Sequence, residues 1–146
     1  MKDDPIPAAD HVARYCPASK LDEEGSPGPD AFVLRDGEAS LSVFWLEYRG
    51  AEDRPTQLGQ VRHDVALGLT MRPSARLAIL NVGRLQTAVR AGSVAQWAVT
   101  VTHQPRTPPD SHSGVFCGDP VANWEVIAAR LAVAASEVHP AVPPPA

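Results

Sequence analysis

No stretch of this chain approaches the roughly 18 consecutive apolar residues of a membrane span. Its opening, residues 1–16, is acidic, carries Pro5 and Pro7, and lacks the apolar centre of a secretory signal. Membrane insertion and secretion are therefore not expected, and the chain reads as soluble and cytoplasmic. Cysteine is scarce: Cys16 and Cys117 stand alone. One disulfide is arithmetically possible, but an intracellular setting favours two buried free thiols. His11, Cys16, His103, His112 and Cys117 are metal-ligand types, yet no close pair has the spacing of a zinc site, so neither a metal nor a cofactor is expected. Aromatic residues make up only 5% of the chain, which implies an aliphatic core of Val, Leu, Ala and Ile. Also missing are a phosphate loop, a nucleophile elbow, a dinucleotide glycine fingerprint and a zinc-protease helix.

Lysine is nearly absent, with only Lys2 and Lys20, so the positive charge is almost all guanidinium. The net charge of −4 argues against nucleic acid or an anionic membrane as partner. That charge is unevenly placed. Residues 1–53 hold five basic and twelve acidic side chains, whereas residues 54–90 hold six arginines (Arg54, Arg62, Arg72, Arg76, Arg84, Arg90) against the single acid Asp64. Guanidinium groups suit bidentate contact with phosphate or carboxylate. The central arginines thus either form an anion-facing patch or pair with the acidic first third across the fold.

With 146 residues and 44% hydrophobic composition, the chain suits one globular domain. The 15 prolines imply many loops, and the ending from His139 to Ala146 reads as an extended tail, dispensable beyond a body of residues 1–138. Phe32–Arg35 and Leu41–Tyr48, joined by Asp36-Gly37, read as a β-hairpin whose second strand is internal because both its faces are apolar. Leu58, Val61, Val65 and Leu69 mark an amphipathic helix over residues 56–70. Arg76–Val82 reads as a buried strand, Arg84–Arg90 as a short helix, and Gln96–His103 as an alternating strand. Asp119-Pro120 offers a helix start, and Val121, Trp124, Ala128, Leu131, Ala135 and Val138 continue it as one apolar stripe. The expected class is α+β, a mixed or antiparallel sheet of four to five strands on two main helices.

Reactive side chains gather in residues 10–16, in residues 42–47 and in the loop 103–117. His112 lies between Ser111 and Ser113 beside Asp110, which suits a general acid or base, with Ser113 or Glu47 as its catalytic companion. A surface histidine in a polar loop is the plainer reading of His112. His103, ending an alternating strand, points to the apolar side, where it either hydrogen-bonds at the core edge or contributes to a ligand site. His11 and Arg14 share a face if their segment is helical, and with Tyr15 they would grip an anion or anchor the N-terminal segment.

The segments Asp10–Ser19 and Leu41–Glu47 resemble those of uncharacterised bacterial proteins with no assigned activity. The chain is also similar to ADP-ribosyltransferase-like effectors, which use an early Arg or His, a mid-sheet Ser or Tyr and a late Glu. That resemblance implies roles for Arg14, Ser42 and Glu125, although Glu125 falls on the expected final helix rather than on a strand. Two functions follow as expectations. One is a small bacterial accessory domain that binds a protein partner or a small anionic ligand without turnover. The other is a hydrolase or transferase acting on a nucleotide-like or phosphate-bearing substrate through His112 and Arg14. The enzyme needs its residues to converge on one pocket, whereas a binding module can scatter them.

Overall fold

Short polar side chains set where the helices begin. Asp53 caps α1 (Arg54–Ala66), accepting from the Thr56 backbone N–H at 3.0 Å and from the Thr56 hydroxyl at 2.7 Å, with Pro55 in the first turn. Asn81 caps α2 (Val82–Ala91) through the Arg84 N–H, and Asn123 caps α3 (Trp124–Ala134) through the Glu125 N–H, each at 2.9 Å. The computed structural model describes residues 2–92 and 95–143.

Among the described residues, six strands form one antiparallel sheet: β1 (His11–Cys16), β2 (Leu41–Trp45), β3 (Arg76–Asn81), β4 (Val99–His103), β5 (His112–Cys117) and β6 (Ala135–Pro140). Their order across the sheet is β4-β5-β2-β1-β3-β6. Alternation along each strand builds two cores. Val12, Val43, Ala78, Leu80, Val101 and Val115 join Leu85 and Val89 of α2 and Ile127 and Leu131 of α3. On the opposite face Ala13, Leu77 and Ile79 join Leu58, Val61 and Val65 of α1. Burying each such Leu or Ile stabilises the fold by about 1.5–3 kcal/mol. The chain is α+β as expected, and the described residues form six strands rather than four or five and three α-helices rather than two main ones.

Several local readings are corrected by tertiary pairing. His11–Cys16 is a strand, not a helical turn, so His11 and Arg14 point to opposite faces of the sheet. No hairpin forms around Gly37, because Pro29–Phe32 is a 3-10 turn that packs on α3, and β2 pairs instead with β1 and β5. The Asp119-Pro120 signal makes only a turn: Asp119 accepts from the Val121 N–H at 3.0 Å, and the helix waits for the Asn123 cap. Val121 is accordingly 76% exposed, and Trp124 is half-buried at the helix start rather than central to a stripe. The chain then leaves the helix at Ala135 and pairs with β3 as far as Arg76↔Pro140.

The sheet thus takes in His139 and Pro140, Ala141 is buried with its N–H on the Ala75 carbonyl at 3.0 Å, and Arg62 donates to the Pro140 carbonyl at 2.8 Å. Residues 144–146 of the expected tail lie outside the described residues. Ending the chain after Val138 is therefore expected to cost about 2–3 kcal/mol, from two or three backbone hydrogen bonds at about 1 kcal/mol each. Urea denaturation of the full and shortened chains measures it, and coincident curves would show that residues 139–141 contribute nothing.

Candidate functional site: a cleft where the sheet splits

β1 pairs with β3 along its whole length, from His11↔Asn81 to Cys16↔Arg76, but with β2 only at Val12↔Trp45 and Ala13↔Phe44. β2 meanwhile stays with β5, from Leu41↔Val115 to Phe44↔His112. Beyond Ala13 the two central strands therefore diverge, and the sheet opens into a cleft of about 620 Å³. Unpaired backbone in that gap needs a partner. Arg14 supplies it: Nη1 donates to the Ser42 carbonyl and Nε to the Ala31 carbonyl, both at 2.9 Å. Nη2 has no protein acceptor among the described residues, so its two N–H groups are available to an anion in the cleft. Desolvation by burial pulls the Arg14 pKa down from its ordinary value. Arginine still keeps its charge there, and a poorly hydrated guanidinium is a strong site for phosphate.

Across the cleft stands His112, the first residue of β5 and only 5% exposed; it is a buried strand residue rather than the loop residue expected. Its Nδ1 lies 2.9 Å from the Gln104 carbonyl oxygen, which can only accept, so Nδ1 carries the proton. Nε2 therefore holds the lone pair, and the Ser42 hydroxyl donates to it at 3.2 Å. Burial is the main cause that lowers the His112 pKa, the Gln104 hydrogen bond opposes it, and Arg106 and His103 lower it further. The ring is thus neutral near pH 7 and ready to take a proton. Phe44 meets it edge-on, with ring centroids 5.8 Å apart.

Two more rows complete the walls. Tyr15 and Phe44 present aromatic surface, the exposed Lys20, Arg35 and Arg106 add positive charge, and Asp30 and Glu38 add carboxylates. Asp64 of α1 also borders the cleft, but its carboxylate is committed: Arg49 donates to it from Nη1 at 2.8 Å and Nη2 at 3.0 Å, and the Ser111 hydroxyl donates to the same group.

Of the residues singled out from the sequence, Arg14, Tyr15 and His112 meet in this cleft, and Ser42 joins them. Ser113 does not. It lies on the other side of β5, fully buried, with its hydroxyl on the Ser111 carbonyl at 3.0 Å. His11 and Glu47 pair with each other away from the cleft, Nδ1 to Oε2 at 2.7 Å, and the His11 N–H donates to Glu47 Oε1 at 2.8 Å. His103 is buried on the apolar side with Nε2 2.6 Å from the Asp110 carbonyl oxygen, edge-on to Trp45 and tilted against Tyr48. Glu125 is exposed in the first turn of α3 and does not line the cleft.

The central arginines lie away from the cleft. Arg54 pairs with Glu137 of β6 at 3.0 Å and Arg76 donates to the Pro73 and Ala75 carbonyls, while none of the six lines the cleft. Cys16 and Cys117 are both free thiols, with Cys16 buried and its pKa pushed by desolvation up to about 11. No group of three or more metal-ligating side chains exists among the described residues, and no described helix is long and apolar enough to cross a membrane. No family model matches the chain, and neither a curated protein nor a solved structure does.

Proposed function

We propose that the cleft binds a nucleotide-like, phosphate-bearing substrate and that the protein is a transferase or hydrolase acting on it. One observation carries this reading: Arg14, Ser42 and His112, far apart in sequence, converge in a cleft that also offers the aromatic surfaces of Tyr15 and Phe44. The free Nη2 edge of Arg14 seats a phosphate, the rings receive an apolar or planar moiety, and neutral His112 accepts the proton released in the reaction. The similarity to ADP-ribosyltransferase-like effectors supports the same class. Of the three positions it implies, Arg14 and Ser42 both line the cleft and Glu125 does not.

Isothermal titration with inorganic phosphate, ADP, ADP-ribose and NAD⁺ tests the reading. The nucleotides are expected to bind more tightly than phosphate alone. Arg14→Lys, which keeps the charge and loses the fork, is expected to weaken them about 10–100-fold, the equivalent of one or two charge-assisted hydrogen bonds. Silence across the panel, or equal affinity in the variant, overturns the proposal. Binding without turnover of any of these compounds points instead to an accessory domain that holds an anionic ligand.

A further inference from the structure

We infer that Ser42 is a nucleophile, activated by His112, through which a phosphoryl group passes covalently. The inference rests on reading the cleft as a phosphate-ester site. Its first support is that the hydroxyl has a fixed sense: the Gln104 carbonyl takes the proton of Nδ1, so Nε2 can only accept, and the Ser42 O–H points at it from 3.2 Å. The relay is nucleophile, base and an orienting acceptor, the arrangement nucleophilic catalysis requires, with a backbone carbonyl in the third place.

The second support is selection among the nearby serines. Ser111 and Ser113 are fully buried, and their hydroxyls are spent on Asp64 and on the Ser111 carbonyl. Ser42 alone of the three both touches His112 and lines the cleft. The third is charge. Arg14 Nη1 is bonded to the Ser42 carbonyl and both residues line the cleft, so a guanidinium with an unspent Nη2 edge is at hand for the negative charge that develops on the phosphoryl oxygens.

In the first step Ser42 Oγ attacks phosphorus, an Oγ–P bond forms and the bond from phosphorus to the leaving oxygen breaks. The Oγ proton goes to His112 Nε2 and then to that leaving oxygen. In the second step a water, or the hydroxyl of an acceptor, attacks the same phosphorus, a new O–P bond forms as the Oγ–P bond breaks, and the proton it gives to Nε2 passes on to Oγ, which returns Ser42 as its alcohol. Water as acceptor makes the protein a hydrolase, and any other hydroxyl makes it a transferase.

A fluorophosphonate probe reads this chemistry without knowledge of the substrate, because Oγ displaces fluoride from phosphorus and the proton leaves through His112. Intact mass is expected to show one adduct, mapped to Ser42 in the digested protein and absent from Ser42→Ala. His112→Ala is expected to slow labelling about a hundredfold or more, the usual contribution of a positioned base. Groups around the ring are Arg106, His103 and Arg14 with their positive or titrating charge and Asp64 from α1; the labelling rate of the native protein should fall in acid with a midpoint below the ordinary histidine value of 6.5. No adduct on Ser42 of the native protein, or an undiminished rate in a folded His112→Ala, overturns the inference. Nucleotide binding without a Ser42 adduct sinks the nucleophile and leaves the substrate reading standing. An adduct without nucleotide binding does the reverse.

Discussion

Phe32→Ala is expected to lower the unfolding free energy by about 3–5 kcal/mol, the usual cost of deleting a fully buried ring together with the cavity left behind. Phe32 is 0% exposed and sits in a 3-10 turn that packs on α3, within the apolar cluster that holds Ile127 and Leu131. Chemical denaturation followed by circular dichroism measures the loss. A cost under about 1 kcal/mol would place the ring at the surface rather than beneath a helix. The same substitution should reach the cleft. The carbonyl of Ala31 anchors Arg14, and Val33 and Leu34 line the wall just beyond the turn. Loosening the turn frees that guanidinium, so nucleotide affinity should fall along with stability. Affinity that stays constant while stability drops would show that the wall is held by β2 alone.

That residue illustrates why the fold was only partly legible. Where a local pattern and the tertiary demand agree, the reading succeeded: the spacing of Leu58, Val61 and Val65 made α1, and the alternation of Val99, Val101 and His103 made β4. Where they compete, it failed. Asp36-Gly37 does turn the chain, with Gly37 at φ 85° and the Glu38 N–H on the Arg35 carbonyl, but Phe32 before it finds more apolar surface under α3 than a two-stranded ribbon offers. At the C-terminus, Ala134 and Ala135 carry no stop signal, and the helical stripe runs on into Val138. The exposed edge of β3 overrides it, since six residues of β6 satisfy backbone groups there that a longer helix would leave open. β1 and β5 were missed because His11–Cys16 and His112–Cys117 mix Arg, His, Ser and Gly into short runs.

The site was legible by residue type and not by arrangement. Arg14 and Tyr15 stand out in the sequence as an anion grip and His112 as a histidine flanked by hydroxyls and a carboxylate, and all three line the cleft. Their companion could not be read from proximity in sequence, because an antiparallel register, not adjacency, sets it. Ser113 next to His112 points to the opposite face, whereas Ser42, 70 positions away, sits on the neighbouring strand two residues before Phe44, the partner of His112. Ser42 enters the sequence reading only through the resemblance, beside Arg14, and the pairing of β2 with β5 is what joins its hydroxyl to His112.

The ion pair beside the cleft should respond unequally to the loss of its two halves. Asp64 is 1% exposed and Arg49 36% exposed on the side chain, and the two are joined by a bidentate contact at 2.8 and 3.0 Å. Arg49→Ala leaves a charged carboxylate in the interior with only the Ser111 hydroxyl to answer it, and is expected to cost about 3–5 kcal/mol. Asp64→Ala leaves a guanidinium that water can reach and one buried hydroxyl without an acceptor, so about 2–3 kcal/mol is expected. The order matters more than the values: removing the exposed partner should hurt more than removing the buried one. Equilibrium denaturation of both variants and of the double variant reads it, with the double variant close to Asp64→Ala because the stranded carboxylate is gone. Beyond stability, Asp64 fixes Ser111, whose carbonyl accepts from the Trp45 N–H and the Ser113 hydroxyl at 3.0 Å each, immediately before His112. Loss of that anchor should let the start of β5 shift against β2 and lengthen the contact between Ser42 and His112. Fluorophosphonate labelling of Ser42 should therefore slow in a folded Asp64→Ala. Labelling at the native rate, or Arg49→Ala proving the milder variant, would show that this buried pair neither carries the charge balance nor holds the base in place.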